Sequence, residues 1–463
     1  MRKLFILLVA LVAATQIMAT TLVPPTWKDS ATGISWTYWE SNGEATLTGC
    51  YNSSHSPISG NIVLPSKVKK TTVTGIERGF AYNTGGFIGM ASVTIPDSVT
   101  DIGDGAFKGL RGLTNVTMGA GVTNIGARAF ADCTGLTRIA MSSGVISIGE
   151  MAFYGCTSLK NISIPDSVTR IGRAAFGCCD DSIYDIMTFP GAVLVDGWIV
   201  GPFADYKSTG SNEIGLLPEH LSFTGVRGIV DFAFLGRGNS KIVTLPNCVK
   251  RVGAWALGRN SNLTRVMISD GVKDIGVAAF SCCYNLTSIE VSDGNANYKS
   301  ENGCLLTKDG KVLVAVPAGL DNVRIPKGVT VIGDCAFLGC HKISHLKIPD
   351  GVKEIGDRAF CGCRGLETIT LPDSIERIGF HALSSLKITS LTMHRNVTRI
   401  GKCAFWRCEH LKSVEFKGNA PTCHESSFRN CPDNCEAYVS RESTGWGVEE
   451  GEKWNGLTIR YHK

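Results

Sequence analysis

The chain has 463 residues, of which 43% are hydrophobic and 19% are charged, so it can build both a large core and a wetted surface. Its 46 basic and 41 acidic residues leave a formal net charge of +5, and the basic residues form no block. These values exclude a disordered or collagenous chain and argue against nucleic-acid binding as the main role.

The first 19 residues predict a secretory signal peptide. Arg2 and Lys3 precede an apolar run from Leu4 to Ala14, and Ala19 is a small residue at the expected cleavage point. A helix of that run is about 16 Å long, whereas a hydrocarbon layer is about 30 Å thick. We therefore expect an exported chain that is secreted, periplasmic or associated with the cell surface, with no membrane span in the mature protein.

Residues 20–75 predict an N-terminal β cap. They carry a strand-like run from Ile34 to Leu47. The aromatic side chains in and near this run are Trp27, Trp36, Tyr38 and Trp39. A stack of repeats exposes an apolar cross-section at each end, and we expect the cap to cover it. Stacking of these rings against a sugar is the alternative interpretation.

A repeat of 23 residues dominates residues 76–416. The hexapeptide Ile-Gly-x-x-Ala-Phe, or a close variant, begins at positions 102, 125, 148, 171, 229, 252, 275, 332, 355, 378 and 400. A fixed period of about 20–29 residues with Leu, Val or Ile at set positions is typical of leucine-rich repeats. We therefore predict an α/β-type solenoid of about 11–12 coils, built from short strands, turns and short helical segments.

Each repeat predicts a half-buried strand, a turn, a second short apolar pair and an inward phenylalanine. In one copy, Ile162 and Ile164 alternate with polar residues, as in a strand with one buried face. Gly172 then gives the backbone a freedom that a side chain would obstruct. We expect the phenylalanines to stack as a structural spine, which consists of Phe107, Phe130, Phe153, Phe176, Phe234, Phe280, Phe337, Phe360 and Phe405.

The repeat is interrupted twice, by insertions near 180–215 and 290–320. In each insertion an aspartate, Asp196 or Asp309, is followed by glycine between two apolar runs, which is a strong hairpin signal. We expect two β-hairpins that project from the stack and lie where binding occurs. Coils that are merely elongated are the alternative.

Residues 417–463 predict a C-terminal cap that includes Trp446 and Trp454. This segment has little core of its own, and a disulfide between two of its three cysteines is expected in an exported protein, with the pairing open. The three cysteines are Cys423, Cys431 and Cys435.

Seven other cysteines recur three residues after the phenylalanine or its replacement, and they are Cys133, Cys156, Cys179, Cys283, Cys340, Cys363 and Cys408. Recurrence in register indicates a small buried side chain that packs between coils. Cysteine and histidine also cluster near Cys340 and Cys363, but no C-x-x-C pair is present there. We therefore predict no metal site.

Copies such as Leu-x-x-Ile-x-Ile-Pro-Asp-Ser-Val-Thr-x-Ile-Gly-x-x-Ala-Phe-x-x-Cys resemble the BspA-type leucine-rich repeat family. The resemblance covers roughly residues 60–416. Members of that family are typically exported or surface-displayed bacterial proteins, and some are adhesins that bind host or matrix proteins. The resemblance implies a role in protein binding or adhesion and transfers no particular ligand.

The sequence contains no G-x-S-x-G, H-E-x-x-H, Walker or G-x-G-x-x-G motif, so we predict no catalytic residues, no cofactor and no enzymatic activity. The outward strand positions form the candidate binding face, which includes Arg138, Asn161, Arg265, Arg324, His345 and Lys347. A polar face of mixed charge with few aromatics suits a protein, cell-surface or matrix ligand better than a small apolar molecule. The alternative is a structural envelope or periplasmic scaffold without a dedicated ligand.

Overall fold

The computed structural model describes residues 24–51, 58–81, 89–185, 192–202, 220–222, 225–237 and 240–462. The predicted signal peptide lies outside the described residues, as does much of the first insertion, from 203 to 219. The chain divides into two compact units, Met1–Val168 and Thr169–Lys463. Within the described ranges, no helix has the length and apolar character that a bilayer span would need.

The described part of the first unit forms two β-sheets. Its strands are β1 (Thr26–Lys28), β2 (Ser35–Ser41), β3 (Glu44–Tyr51), β4 (Ser59–Val63), β5 (Lys67–Val68), β6 (Thr71–Ile76), β7 (Gly89–Thr94), β8 (Asp101–Ile102), β9 (Asn115–Thr117), β10 (Asn124–Ile125), β11 (Arg138–Ala140) and β12 (Ser147–Ile148). One sheet has the order β1-β2-β3-β6-β8-β10-β12, with β5 paired to β6, and the other has the order β11-β9-β7-β4. Trp36 and Tyr38 on β2 are only 1% and 2% exposed, so these two rings belong to the core and are not available to a sugar.

The second unit repeats this arrangement over a longer stretch. Its strands are β13 (Arg170–Ile171), β14 (Ala192–Val195), β15 (Trp198–Pro202), β16 (His220–Ser222), β17 (Gly228–Ile229), β18 (Ile242–Leu245), β19 (Arg251–Val252), β20 (Arg265–Ile268), β21 (Asp274–Ile275), β22 (Ser288–Val291), β23 (Tyr298–Glu301), β24 (Cys304–Thr307), β25 (Val312–Ala315), β26 (Val331–Ile332), β27 (His345–Lys347), β28 (Glu354–Ile355), β29 (Thr368–Thr370), β30 (Arg377–Ile378), β31 (Ser390–Met393), β32 (Arg399–Ile400), β33 (Ser413–Phe416), β34 (Thr422–Cys423), β35 (Glu436–Val439), β36 (Lys453–Trp454) and β37 (Leu457–Tyr461). The sheet orders are β14-β15-β17-β19-β21, β16-β18-β20-β22, β23-β24-β25-β26-β28-β30-β32-β34, β27-β29 and β31-β33-β35-β37-β36.

A regular coil contributes one strand to each of two sheets. The longer strand carries alternating buried and outward side chains, and the hexapeptide begins in a two-residue strand. In the first unit, Asn124 pairs with Ser147 and Ile125 with Ile148 in parallel register. One coil therefore takes 23 residues, so that each residue lies beside the residue 23 positions later in the next coil.

The phenylalanines of the hexapeptide lie inside both units, and all nine are at most 2% exposed. In the first unit the ring centroids of Phe107 and Phe130 are 5.2 Å apart, and those of Phe130 and Phe153 are 5.4 Å apart. In the second unit the rings of Phe337 and Phe360 stack at 4.6 Å. Each unit therefore contains stacked aromatic rings in its core, an arrangement that aromatic pairs favour when offset.

The predicted α/β label is wrong for the described part of the chain, which contains a single 3₁₀ turn, Asp181–Ile183, and no α-helix. The physical reason is a left-handed residue at two fixed places in each coil. In one coil these are Arg128 (φ 55°) and Asp132 (φ 61°), three and seven residues after the hexapeptide begins. A right-handed helix cannot run through such residues, so turns connect the sheets instead.

The hexapeptide glycine is required for close approach between coils. Gly126 has no positive φ, unlike the left-handed residues that follow it. A Cβ atom built on it would lie 2.7 Å from the backbone nitrogen of Asp104 in the preceding coil. Real Cβ atoms do not come this close to backbone, so a side chain would push the coils apart.

The recurring cysteines donate hydrogen bonds between coils. The Cys133 thiol donates to the carbonyl oxygen of Phe107 at 3.1 Å, and the Cys363 thiol donates to that of Phe337 at 3.1 Å. Asn260 takes the same place in one coil, and its side-chain amide donates 3.0 Å to a phenylalanine carbonyl. The position therefore supplies a donor to a carbonyl of the preceding coil.

Both Asp-Gly hairpins join a sheet that is formed by strands of the repeats. β14 pairs antiparallel with β15, and β15 in turn pairs parallel with β17. Similarly, β25 pairs antiparallel with β24 and parallel with β26. Leu305, Leu306 and Leu313 in the second hairpin are fully buried. The expectation that the hairpins project from the stack is therefore not met in the described residues, because their apolar faces join the core.

The C-terminal segment has a small aromatic core and no disulfide. The Phe416 ring lies 5.0 Å from Trp446 and 5.6 Å from Trp454. All three cysteines predicted to supply a disulfide, Cys423, Cys431 and Cys435, carry free thiols. The Cys431 thiol instead donates to the Phe405 carbonyl at 3.2 Å, so it continues the donor series of the preceding coils.

Candidate functional site

The second unit presents a polar surface that we call the strand face, made of the outward side chains of β27, β29, β31, β33, β35 and β37. Along these strands, every second side chain is buried, such as Leu346 and Ile369. The alternation follows from the two-residue period of a strand and leaves the remaining side chains outward. The strand face is therefore fixed in place by the core beneath it.

One end of the strand face is basic. His345 and Lys347 are exposed on β27, and Thr368 and Thr370 are exposed on the neighbouring β29. The His345 Nδ1 atom lies 2.7 Å from the Thr368 hydroxyl, which orients the imidazole ring. The Lys347 ammonium extends into solvent, where it is available to a carboxylate of a partner.

The other end of the strand face carries paired charges. The Arg460 guanidinium contacts the Glu436 carboxylate at 2.9 Å, and the Tyr438 hydroxyl donates to the same carboxylate at 2.6 Å. These hydrogen bonds, that of Tyr438 first and that of Arg460 second, lower the pKa of Glu436 from its usual value. On β33, Glu415 accepts a hydrogen bond from Thr392 at 3.2 Å. Positive and negative groups thus lie together on the sheet that contains β33, β35 and β37.

The other predicted face residues do not join this surface. Arg265 is exposed on β20 in a separate sheet, where it forms an ion pair with Glu290. Arg324 is exposed but lies outside the strands, and its carbonyl oxygen is 3.5 Å from the Asn302 side-chain amide. The prediction that Arg324 occupies a strand is therefore wrong, because its segment connects β25 to β26 without pairing as a strand.

Two predicted face residues lie in the first unit. Arg138 is exposed on β11, and Asn161 is exposed and forms a single parallel bridge with Arg138. The strand predicted around Ile162 is therefore reduced to this bridge. Arg138 and Asn161 are neighbours, and they form a small polar patch on the first unit.

The structure also contains a groove in the second unit that the sequence reasoning missed. We call it the basic groove, and its volume is about 560 Å³. It is lined by Asp357, Arg377, Ile378, Gly379, Phe380, Arg399, Ile400, Gly401, Lys402, Thr422, Cys423 and His424. The groove crosses the two-residue strands β30, β32 and β34, which are not part of the strand face. The sequence signal that could have revealed the groove is the set of residues beside successive Ile-Gly pairs, which vary from coil to coil.

Among the described residues, no group of three His, Cys, Asp or Glu side chains is placed to hold a metal ion. Burial raises the pKa of the Cys133 and Cys283 thiols to about 12. These thiols therefore stay protonated near neutral pH and serve as hydrogen-bond donors.

A family model described as a BspA-type leucine-rich repeat region matches this chain in 6 copies, over residues 85–193, 219–304 and 317–435. These segments make up well over half of the sequence. No curated protein matches the chain.

Several solved structures are similar to the chain. A leucine-rich cell surface protein from Faecalibacterium prausnitzii is 24% identical, covers 92% of this chain and 99% of its own, and has a TM-score of 0.42. The pneumococcal vaccine antigen PcpA is 17% identical, with coverage of 96% and 100% and a TM-score of 0.37. A leucine-rich repeat protein from Bacteroides ovatus is 20% identical, with coverage of 88% and 98% and a TM-score of 0.28.

Proposed function

This chain belongs to the BspA-type leucine-rich repeat family, and from this premise we propose that it is an exported, non-enzymatic protein that binds a protein partner at a cell surface or in a matrix. Binding takes place on the strand face of the second unit. The family membership supports a binding role, since repeat proteins of this type present broad surfaces to their partners.

The observation that carries the proposal is the chemistry of the strand face. Its backbone is held by parallel pairing, as between β33 and β35, and its outward residues include both signs of charge. Exposed Lys347 at one end and the Glu436–Arg460 pair at the other provide a pattern that a partner of complementary charge can match. Such complementarity fixes orientation and speeds association more than it adds affinity.

The test uses point substitutions because removal of a hairpin would damage the core. Deleting the segment around Asp309 would remove β24 and β25, whose leucines are fully buried. Lys347→Glu reverses a charge on the strand face, whereas Lys327→Glu makes the same change at an exposed residue outside it. Both variants should fold like the parent, which circular dichroism checks.

Binding is measured on surfaces coated with extracellular matrix or with fixed cells. We expect saturable binding by the parent and by Lys327→Glu, and at least about tenfold weaker binding by Lys347→Glu, which corresponds to about 1.4 kcal/mol. Equal binding by all three proteins would reject the strand face as the site. A parent that shows no saturable binding would favour the scaffold interpretation instead.

A further inference from the structure

We propose that the basic groove binds an acidic sugar, that is, a saccharide unit that carries a carboxylate or sulfate group. The groove lies on the sheet that contains β30, β32 and β34, so this site is separate from the strand face. Its volume of about 560 Å³ falls in the range of small-molecule sites, which is about 300–1,000 Å³.

The charge of the groove favours an anion. Arg377, Arg399 and Lys402 contribute three positive charges, and Asp357 contributes one negative charge. Within the described residues, only Arg377 of these cations has an ion-pair partner, Glu354 at 3.5 Å. The Arg399 guanidinium and the Lys402 ammonium are exposed and have none. Both are therefore ready to receive an oxyanion without first breaking a salt bridge.

The positions of Arg377 and Arg399 on the sheet suit one oxyanion group. Arg377 and Arg399 are directly paired residues of neighbouring parallel strands. Paired strands lie about 4.8 Å apart, so both side chains can reach the same carboxylate or sulfate. Planar guanidinium forks bind such groups with two parallel hydrogen bonds.

The remaining walls suit a sugar ring. The Thr422 hydroxyl and the His424 ring are exposed at one end, and the Asp357 carboxylate is exposed at the other. One oxygen of Asp357 accepts the Phe380 backbone N–H at 2.7 Å, which fixes the carboxylate and leaves its second oxygen for a sugar hydroxyl. The half-buried Phe380 ring, with the Arg358 guanidinium 4.7 Å from its centroid, supplies an apolar wall.

The backbone of the groove argues against an acidic peptide. An extended peptide gains affinity when it adds to a sheet edge through main-chain hydrogen bonds. In the groove, β30 lies between β28 and β32, and β32 lies between β30 and β34, whereas β34 ends the sheet among the described strands. Recognition across β30 and β32 must come from side chains, which match the hydroxyl and acidic groups of a sugar better than a peptide backbone.

The proposal is tested by isothermal titration calorimetry on the purified protein at low salt. The probes are a galacturonate hexamer, a sulfated galactan hexamer, an uncharged galactan hexamer and hexaglutamate. We expect saturable binding of the galacturonate or the sulfated hexamer, and at least about tenfold weaker binding of both the uncharged hexamer and hexaglutamate. Hexaglutamate that binds as tightly as the acidic sugars would overturn the assignment, as would no saturable binding of either acidic sugar.

A pair of matched variants locates the site. Arg399→Gln with Lys402→Gln removes two charges from the groove, and Arg395→Gln with Lys387→Gln removes two from exposed positions outside it. We expect at least a tenfold loss of acidic-sugar affinity for the first variant and none for the second. Equal loss in both variants would overturn the assignment to the groove. Lys347→Glu should bind the acidic sugar like the parent, because it changes only the strand face.

Discussion

Replacement of Phe153 by alanine tests whether stacked rings hold the coils of the first unit together. The Phe153 side chain is fully buried, and its ring lies 5.4 Å from that of Phe130 with nearly parallel planes. Truncation would remove the whole ring and leave a cavity between coils that cannot collapse without moving backbone. For such substitutions the loss of unfolding free energy is about 3–5 kcal/mol.

Guanidinium unfolding followed by far-UV circular dichroism measures this loss. Phe153→Leu is the matched control, because Leu257 and Leu383 occupy the same position in two other coils and are buried there. We expect the leucine variant to lose less than half as much stability as the alanine variant. A loss of unfolding free energy below about 1 kcal/mol for Phe153→Ala would refute the reasoning, since removal of a fully buried ring destabilises a protein by more than this.

Three further changes probe the contacts between coils and the strand face. Cys133→Ala should cost about 1–3 kcal/mol in guanidinium unfolding, because it leaves the Phe107 carbonyl without its donor, and Cys133→Ser should cost less; equal losses would contradict the hydrogen bond. Gly126→Ala should cost about 1–3 kcal/mol through a Cβ atom 2.7 Å from the backbone of the preceding coil, and unchanged stability would contradict that close approach. The pKa of Glu436 is lowered by the Tyr438 hydroxyl, so its contribution to stability is present above the usual carboxylate pKa and is lost as the pH falls through the lowered value. The melting temperature of Glu436→Gln should therefore fall less on acidification than that of the parent, and parallel curves would contradict this.

The repeat and its buried phenylalanines could be predicted because they are local and periodic. Ile125 and Phe130 recur with their neighbours at the same spacing, and a residue type that recurs in register at an apolar position indicates a core. The left-handed turns could not be predicted in this way. Arg128 and Met151 adopt positive φ at the same place in two coils, yet neither residue type favours such a turn.

The candidate sites were harder to predict because they depend on which coils are neighbours. The strand face follows from alternation, which places Lys347 outward, but nothing local to Arg324 shows that its segment does not form a strand. The basic groove depends on Arg377 and Arg399 meeting across paired strands, at a position where most other coils have a residue other than arginine. Likewise, the second Asp-Gly hairpin joins a sheet through β26, whose sequence lies well beyond the turn.

Hydrogen–deuterium exchange measured by mass spectrometry gives the decisive test of coil-to-coil pairing. The Gly126 amide donates to the Ile102 carbonyl at 2.7 Å, and the Phe130 amide donates to the Ala152 carbonyl at 2.8 Å, so both bonds join different coils. Exchange at these amides requires that coils separate. We expect every hexapeptide in the described ranges to exchange far more slowly than the exposed turns within its unit. Hexapeptide amides that exchange as fast as those turns would contradict the stacked-coil account and the binding surfaces that depend on it.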